Sequence, residues 1–136
     1  MKSIFLQTCY GLMLISALSF NSCTKKTPLE QVFSDAEKVK VYIYAGSTVP
    51  QVHYETNDID KMKAFATYVD DSTDAKGTCN YEGRLIAYFN ETDSNVMKFS
   101  LANGCTQITY TVDGKTYTKA LSKTGVDYME NLKKIQ

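Results

Sequence analysis

The stretch TQITYTVDGKTYTK, residues 106–119, decides how this chain is read. Asp113-Gly114 is a favoured loop for a two-residue hairpin, whose central positions need φ above zero. With that loop in place, Tyr110 stands opposite Tyr117 and Thr111 opposite Thr116. Side chains alternate along a strand. Ile108, Tyr110, Val112 and Tyr117 therefore share one face, and Thr109, Thr111, Thr116 and Thr118 line the other. Cross-strand pairs of this kind contribute about 0.2–1 kcal/mol each. The hairpin predicts an antiparallel sheet with one apolar face.

Upstream, Asn103-Gly104 marks another tight turn, with Cys105 opening the strand after it. Met97, Phe99 and Leu101 alternate with Val96, Lys98 and Ser100, and Leu85, Ala87 and Phe89 repeat the period-two pattern. Val39, Val41 and Ile43 alternate with Lys40, Tyr42 and Tyr44 in a fifth strand. Val52-His53-Tyr54 is a short extended piece that continues the sheet or lies over an edge, and residues 70–77 read as a polar loop.

Three helices complete the pattern. Thr27-Pro28-Leu29-Glu30 is a capping box with proline at the first helical position, followed by an apolar stripe of Leu29, Val32, Phe33 and Ala36. Thr56 or Asn57 caps a second helix whose stripe is Ile59, Met62, Phe65, Ala66 and Val69. Ser122 caps a third, with Val126, Met129 and Leu132 inward and Lys133 and Lys134 at its negative end. The predicted class is α+β, a single antiparallel sheet of about five strands with helices on one face, in the order α-β-α-β-β-β-β-α.

The N-terminus says where the protein resides. Lys2 precedes a largely apolar, uncharged run from Ile4 to Phe20, too short and too interrupted by Gln7, Thr8 and Ser16 for a spanning helix. Ser19-Phe20-Asn21-Ser22-Cys23 resembles the lipobox of bacterial lipoproteins, in the relaxed form of Bacteroidota leaders, with Phe20 where a strict lipobox has leucine. The resemblance implies a signal peptide over 1–22, acylation of Cys23, a tether over 23–28 and one α+β domain over 29–136. It also implies an outer-membrane lipid anchor. A plain secretory signal and an uncleaved anchor are the competing readings of the same stretch. No acidic run of the kind that marks surface export follows Cys23, so the periplasmic face is preferred.

That leader sorts the four cysteines: Cys9 leaves with the signal, Cys23 carries lipid, and Cys79 and Cys105 remain to pair in an oxidising envelope. A redox or zinc role for the pair competes with a structural disulfide, but the spacing is far from C-x-x-C and a single histidine is a poor source of further ligands. In a meander the starts of the two strands lie at the same end with one strand between them. The link would therefore need the loop around Cys79 to fold over the sheet.

Chemistry is sparse. Fifteen basic and fifteen acidic residues are dispersed along the chain, which argues against a nucleic-acid partner. His53 has no G-x-S-x-G serine to serve. Asp70, Asp71 and Asp74 fail the calcium-loop pattern, with Ala75 and Tyr81 at the positions for glycine and glutamate. No phosphate-cradling or dinucleotide motif occurs, and neither metal nor cofactor is expected. Ten tyrosines in a chain without tryptophan are the unusual resource. Tyr42 and Tyr44, joined by Tyr54 and Tyr88, are the candidate binding surface on an open sheet face, suited to an envelope protein or a glycan. The expected function is a non-catalytic, lipid-anchored binding or inhibitor module. The alternatives are an accessory subunit of an envelope assembly and a small hydrolase.

Overall fold

In the computed structural model, which describes residues 25–44 and 49–135, the chain enters through the capped helix α1, Pro28–Asp35. The expected leader and Cys23 lie outside the described residues. Thr27 caps α1 as anticipated: its hydroxyl accepts from Glu30 N at 3.2 Å, and the Glu30 carboxylate accepts from Thr27 N at 2.7 Å. Strands β1 (Lys38–Ile43) and β2 (Gln51–Thr56) follow, then α2 (Ile59–Ala64) running into a 3-10 turn over Phe65–Tyr68. Next come β3 (Val69–Asp74), β4 (Gly83–Tyr88), β5 (Ser94–Ala102), β6 (Cys105–Val112) and β7 (Lys115–Leu121). Helix α3 (Lys123–Lys133) closes the chain, with the Ser122 hydroxyl accepting from Gly125 N at 3.1 Å.

The strands form one seven-stranded sheet in the order β2-β1-β4-β5-β6-β7-β3, antiparallel throughout. The α+β class and single antiparallel sheet agree with the sequence; the expected count of about five strands is corrected to seven. The β6–β7 register pairs Tyr110 with Tyr117 and Thr111 with Thr116, and Asp113 and Gly114 take φ of 50° and 74°. The two added strands are the edges. β2 was anticipated only as a short extended piece. Residues 70–77 were expected to be loop, yet Val69 pairs with Leu121 and Asp70 with Ala120 before an irregular stretch leads to Asp74 opposite Lys119.

That edge also shortens the second helix. Asp58 is the actual cap, accepting from Asp60 N and Lys61 N, so Ile59 falls at the first helical position and is 52% exposed instead of buried. The carbonyls of Thr67 and Tyr68 are taken by the hydroxyl and backbone N–H of Ser122, at 3.0 and 2.9 Å. Val69 is thereby freed to enter β3.

Leu29, Phe33, Met62, Phe65, Met129 and Leu132 from the helical segments pack against Val39, Val41, Leu85, Met97, Phe99 and Ile108 of the sheet. By register these strand residues share one face: Val41 pairs with Leu85, Leu85 with Met97, and Phe99 with Ile108. Gly83 sits opposite Phe99, and a β-carbon there would strike the Phe99 ring and the Tyr42 carbonyl. The helices cover this inner face. On the outer face lies part of the connection between β3 and β4. Ala75 N donates to Thr118 O, Glu82 N to Phe99 O, and Cys79 is bonded to Cys105 with Cα atoms 5.9 Å apart. The outer-face pair Ser100 and Gln107 is buried at that end of the sheet.

Candidate functional site: an aromatic and cationic sheet face

The β2-β1-β4-β5 part of the outer face is partly exposed: Lys98 and Val96 are exposed, Tyr42, Arg84 and Tyr88 are half-buried, and Ile86 is buried among them. One row across it runs Val52, Tyr42, Arg84, Lys98, Thr109 and Thr118, each paired with the next across the ladder. The next row runs Glu55, Lys40, Ile86 and Val96, and the next Lys38, Tyr88 and Ser94. Each residue reaches this face because its sequence neighbours, Val41, Leu85 or Met97, point into the core.

Cations lie over the rings. The Arg84 guanidinium is 4.7 Å from the Tyr42 ring centre, and the Lys38 ammonium 5.5 Å from that of Tyr88. Lys98 lies 5.8 Å from the ring centre of Tyr81, whose hydroxyl donates to Thr109 at 3.0 Å. Such contacts contribute about 0.5–1 kcal/mol at exposed sites. Glu55 bonds Lys40 at 3.0 Å and approaches Lys38 at 3.9 Å. The Glu55 hydrogen bond holds the Lys40 ammonium above its usual pKa. Partial burial, then a hydrogen bond with Tyr42, raises the Tyr88 phenol. Beside Tyr88 a cleft of about 450 Å³ is lined by Glu37, Lys38, Asn57, Asn90 and Glu91, so that end of the face carries negative charge.

Of the four tyrosines singled out in the sequence, Tyr42 and Tyr88 meet on this face, and Tyr44 follows the end of β1 with its N–H on the Glu82 carbonyl. Tyr54 is elsewhere, and its placement is corrected. It pairs with Val41, a core residue, and packs edge-on to Tyr128 at 6.0 Å and near Phe65 at 6.2 Å. A bulge between Val41 and Tyr42 puts Val52 opposite Tyr42 instead. Arg84, Lys40, Lys98 and Tyr81 were not singled out. Alternation places Lys98 and Lys40 outward, but that β4 lies beside β1 is a tertiary fact.

The remaining candidates are engaged elsewhere. His53 Nδ1 lies 3.3 Å from the Leu132 carbonyl, at the end of α3. Asp70 accepts from Ser72, Asp71 from the Tyr110 hydroxyl, and Asp74 pairs with Lys119 at 2.6 Å, three carboxylates with three separate tasks. Among the described residues no three His, Cys, Asp or Glu side chains are grouped to hold a metal ion, and no helix is long and apolar enough to cross a membrane. A groove of about 760 Å³ lies beside the start of α1, lined by Lys25, Lys26, Glu30, Lys63 and Asp71 among others. No family model, curated protein or solved structure matches this chain.

Proposed function

We propose that this protein is a lipid-anchored module of the bacterial envelope, acylated at Cys23 and facing the periplasm. It binds a partner through the outer face of its sheet and carries out no reaction. The observation that supports the reading is the Tyr42–Arg84–Tyr88 cluster, held on paired strands and partly exposed on the side the helices do not cover. Rings and cations fixed on strands offer contact area at small cost in side-chain entropy. Exposed large apolar residues are scattered, with Val52 and Val96 on this face and Ile59 and Ile135 elsewhere. A permanent subunit contact would need a broader apolar patch, so a reversible binding module is favoured over an accessory subunit.

Two measurements test this. Cells expressing the wild type incorporate labelled fatty acid into the protein, and Cys23→Ser abolishes the label; equal labelling removes the anchor from the proposal. The Cys23→Ser protein, used as bait in envelope extract, retains a stoichiometric partner that a folded Tyr42→Ala/Tyr88→Ala variant does not. Equal retention by both would show that the face is packing surface.

A further inference from the structure

Arg84 and Lys98 are direct partners across the β4–β5 ladder, side by side on the outer face. Like charges placed directly opposite each other destabilise a sheet. Among the described residues neither pairs with a carboxylate; Glu55, on the same face, is engaged with Lys40 and Lys38. The Arg84 Nε is itself shut off from solvent, so it is the outer nitrogens of the guanidinium, beside the Lys98 ammonium, that present positive charge to an anion arriving from solvent.

We propose that Arg84 and Lys98 form the anion subsite of this face, and that its occupant is an acidic glycan, a polysaccharide bearing carboxylate or sulfate groups. The inference rests on the reading of this face as the binding surface. A polypeptide must find partners for its own backbone N–H and C=O groups when it loses water. The middle of a paired sheet has no free backbone to offer, because its ladders to β1 and β5 are complete. What the face does offer is guanidinium and ammonium donors, the Tyr42 and Tyr81 rings, and the hydroxyls of Thr109 and Thr118. Those groups match a polymer of rings, hydroxyls and acid groups. At the Tyr88 end Glu37 and Glu91 outnumber Lys38, which is itself drawn to Glu55, so the acid groups sit over Arg84 and Lys98.

The test uses the Cys23→Ser chain with polygalacturonate and dextran sulfate as probes, neutral dextran as control and polyglutamate as the polypeptide arm, in affinity electrophoresis. An acidic glycan is expected to retard the protein, neutral dextran is not, and the effect weakens when salt rises from about 50 to 300 mM. Arg84→Gln and Lys98→Gln each weaken binding about tenfold or more. Lys98→Glu supplies a separate readout: it abolishes glycan binding while raising the melting temperature of the free protein, because a like-charge pair becomes an opposite-charge one. Undiminished binding by the Arg84 or Lys98 variants, retention by polyglutamate alone, no retention by any acidic glycan, or a lowered melting temperature for Lys98→Glu would each overturn the subsite. If an envelope partner is still lost in Tyr42→Ala/Tyr88→Ala while the glycans fail, the binding face stands and the glycan assignment falls.

Discussion

The hydroxyl of Tyr110, on β6, donates a 3.0 Å hydrogen bond to the Asp71 carboxylate, reaching past β7 to the edge strand β3. Tyr110 is 2% exposed and stacks on Tyr117 with ring centres 5.3 Å apart. Its ring belongs to the core while its polar end ties down a strand with few apolar residues of its own. Tyr110→Phe keeps the ring and deletes the tie. It should cost about 1.5–3 kcal/mol, because the bond is to a charged acceptor. In hydrogen exchange the amides of β3 should lose protection more than those of β4 or β5. Uniform loss across the sheet would show that the bond holds no particular strand.

Burial, reinforced by Asp71, pushes the Tyr110 phenol well above its ordinary value near 10, and burial does the same for Tyr128. In the unfolded chain these phenols ionise from about pH 10, while the folded protein keeps them protonated. The stability they contribute is fully present below that value and lost as pH rises above it, by up to about 1.4 kcal/mol per pH unit for Tyr110. The urea midpoint should hold up to about pH 9 and fall steeply by about pH 11. Phenolate absorbance should show the Tyr110 and Tyr128 phenols ionising only on unfolding. Ionisation of Tyr110 and Tyr128 while the protein stays folded would contradict their buried placement.

The Cys79–Cys105 bond closes a separation of 26 residues. In the chain-entropy model its loss costs roughly 3–3.5 kcal/mol. Replacing both cysteines by serine should lower the urea midpoint accordingly. It should also release the connection, so that cleavage after Lys76 by trypsin precedes cleavage within the sheet. Unchanged protection at Lys76 would mean that the Tyr81–Thr109 bond and the backbone contacts hold the connection alone.

Gly125 lies in the first turn of α3, where alanine would normally raise helix stability by about 1 kcal/mol. Here the sign should reverse. A β-carbon would run into the Tyr68 backbone and Cβ, main-chain atoms that do not swing aside. Gly125→Ala is expected to destabilise by about 1–3 kcal/mol, as overpacking does, read as a lowered urea midpoint. A stabilised variant would show that α3 lifts off the 3-10 turn at no cost.

Where the physics is local, residues and structure agree. The capping box at Thr27 and Glu30, the Ser122 cap and the Asp113-Gly114 hairpin depend on side chains within four residues of the backbone they serve. Val69-Asp70-Asp71-Ser72-Thr73-Asp74 failed that way of reading. Its one apolar residue completes a helical stripe in sequence, and nothing in its acidic run alternates. It becomes a strand because β7 offers Leu121 and Ala120 as partners.

The candidate face divides along the same line. That Tyr42, Lys40 and Lys98 point away from the core follows from alternation, since each is flanked by residues a core must bury. That Arg84 lies between Tyr42 and Lys98 follows only from the insertion of β4 between β1 and β5, strands far apart in the chain. Tyr54 shows the converse, because a bulge the residues do not announce turns it inward to Phe65 and Tyr128. By itself the sequence determined the caps of α1 and α3, the hairpin register and the inner face, all set by short-range sterics and period-two burial. Only the tertiary structure decided the edge strands, the face across which Arg84 meets Lys98, and the site of Tyr54, because strand neighbours are chosen by burying one shared core and not by order along the chain.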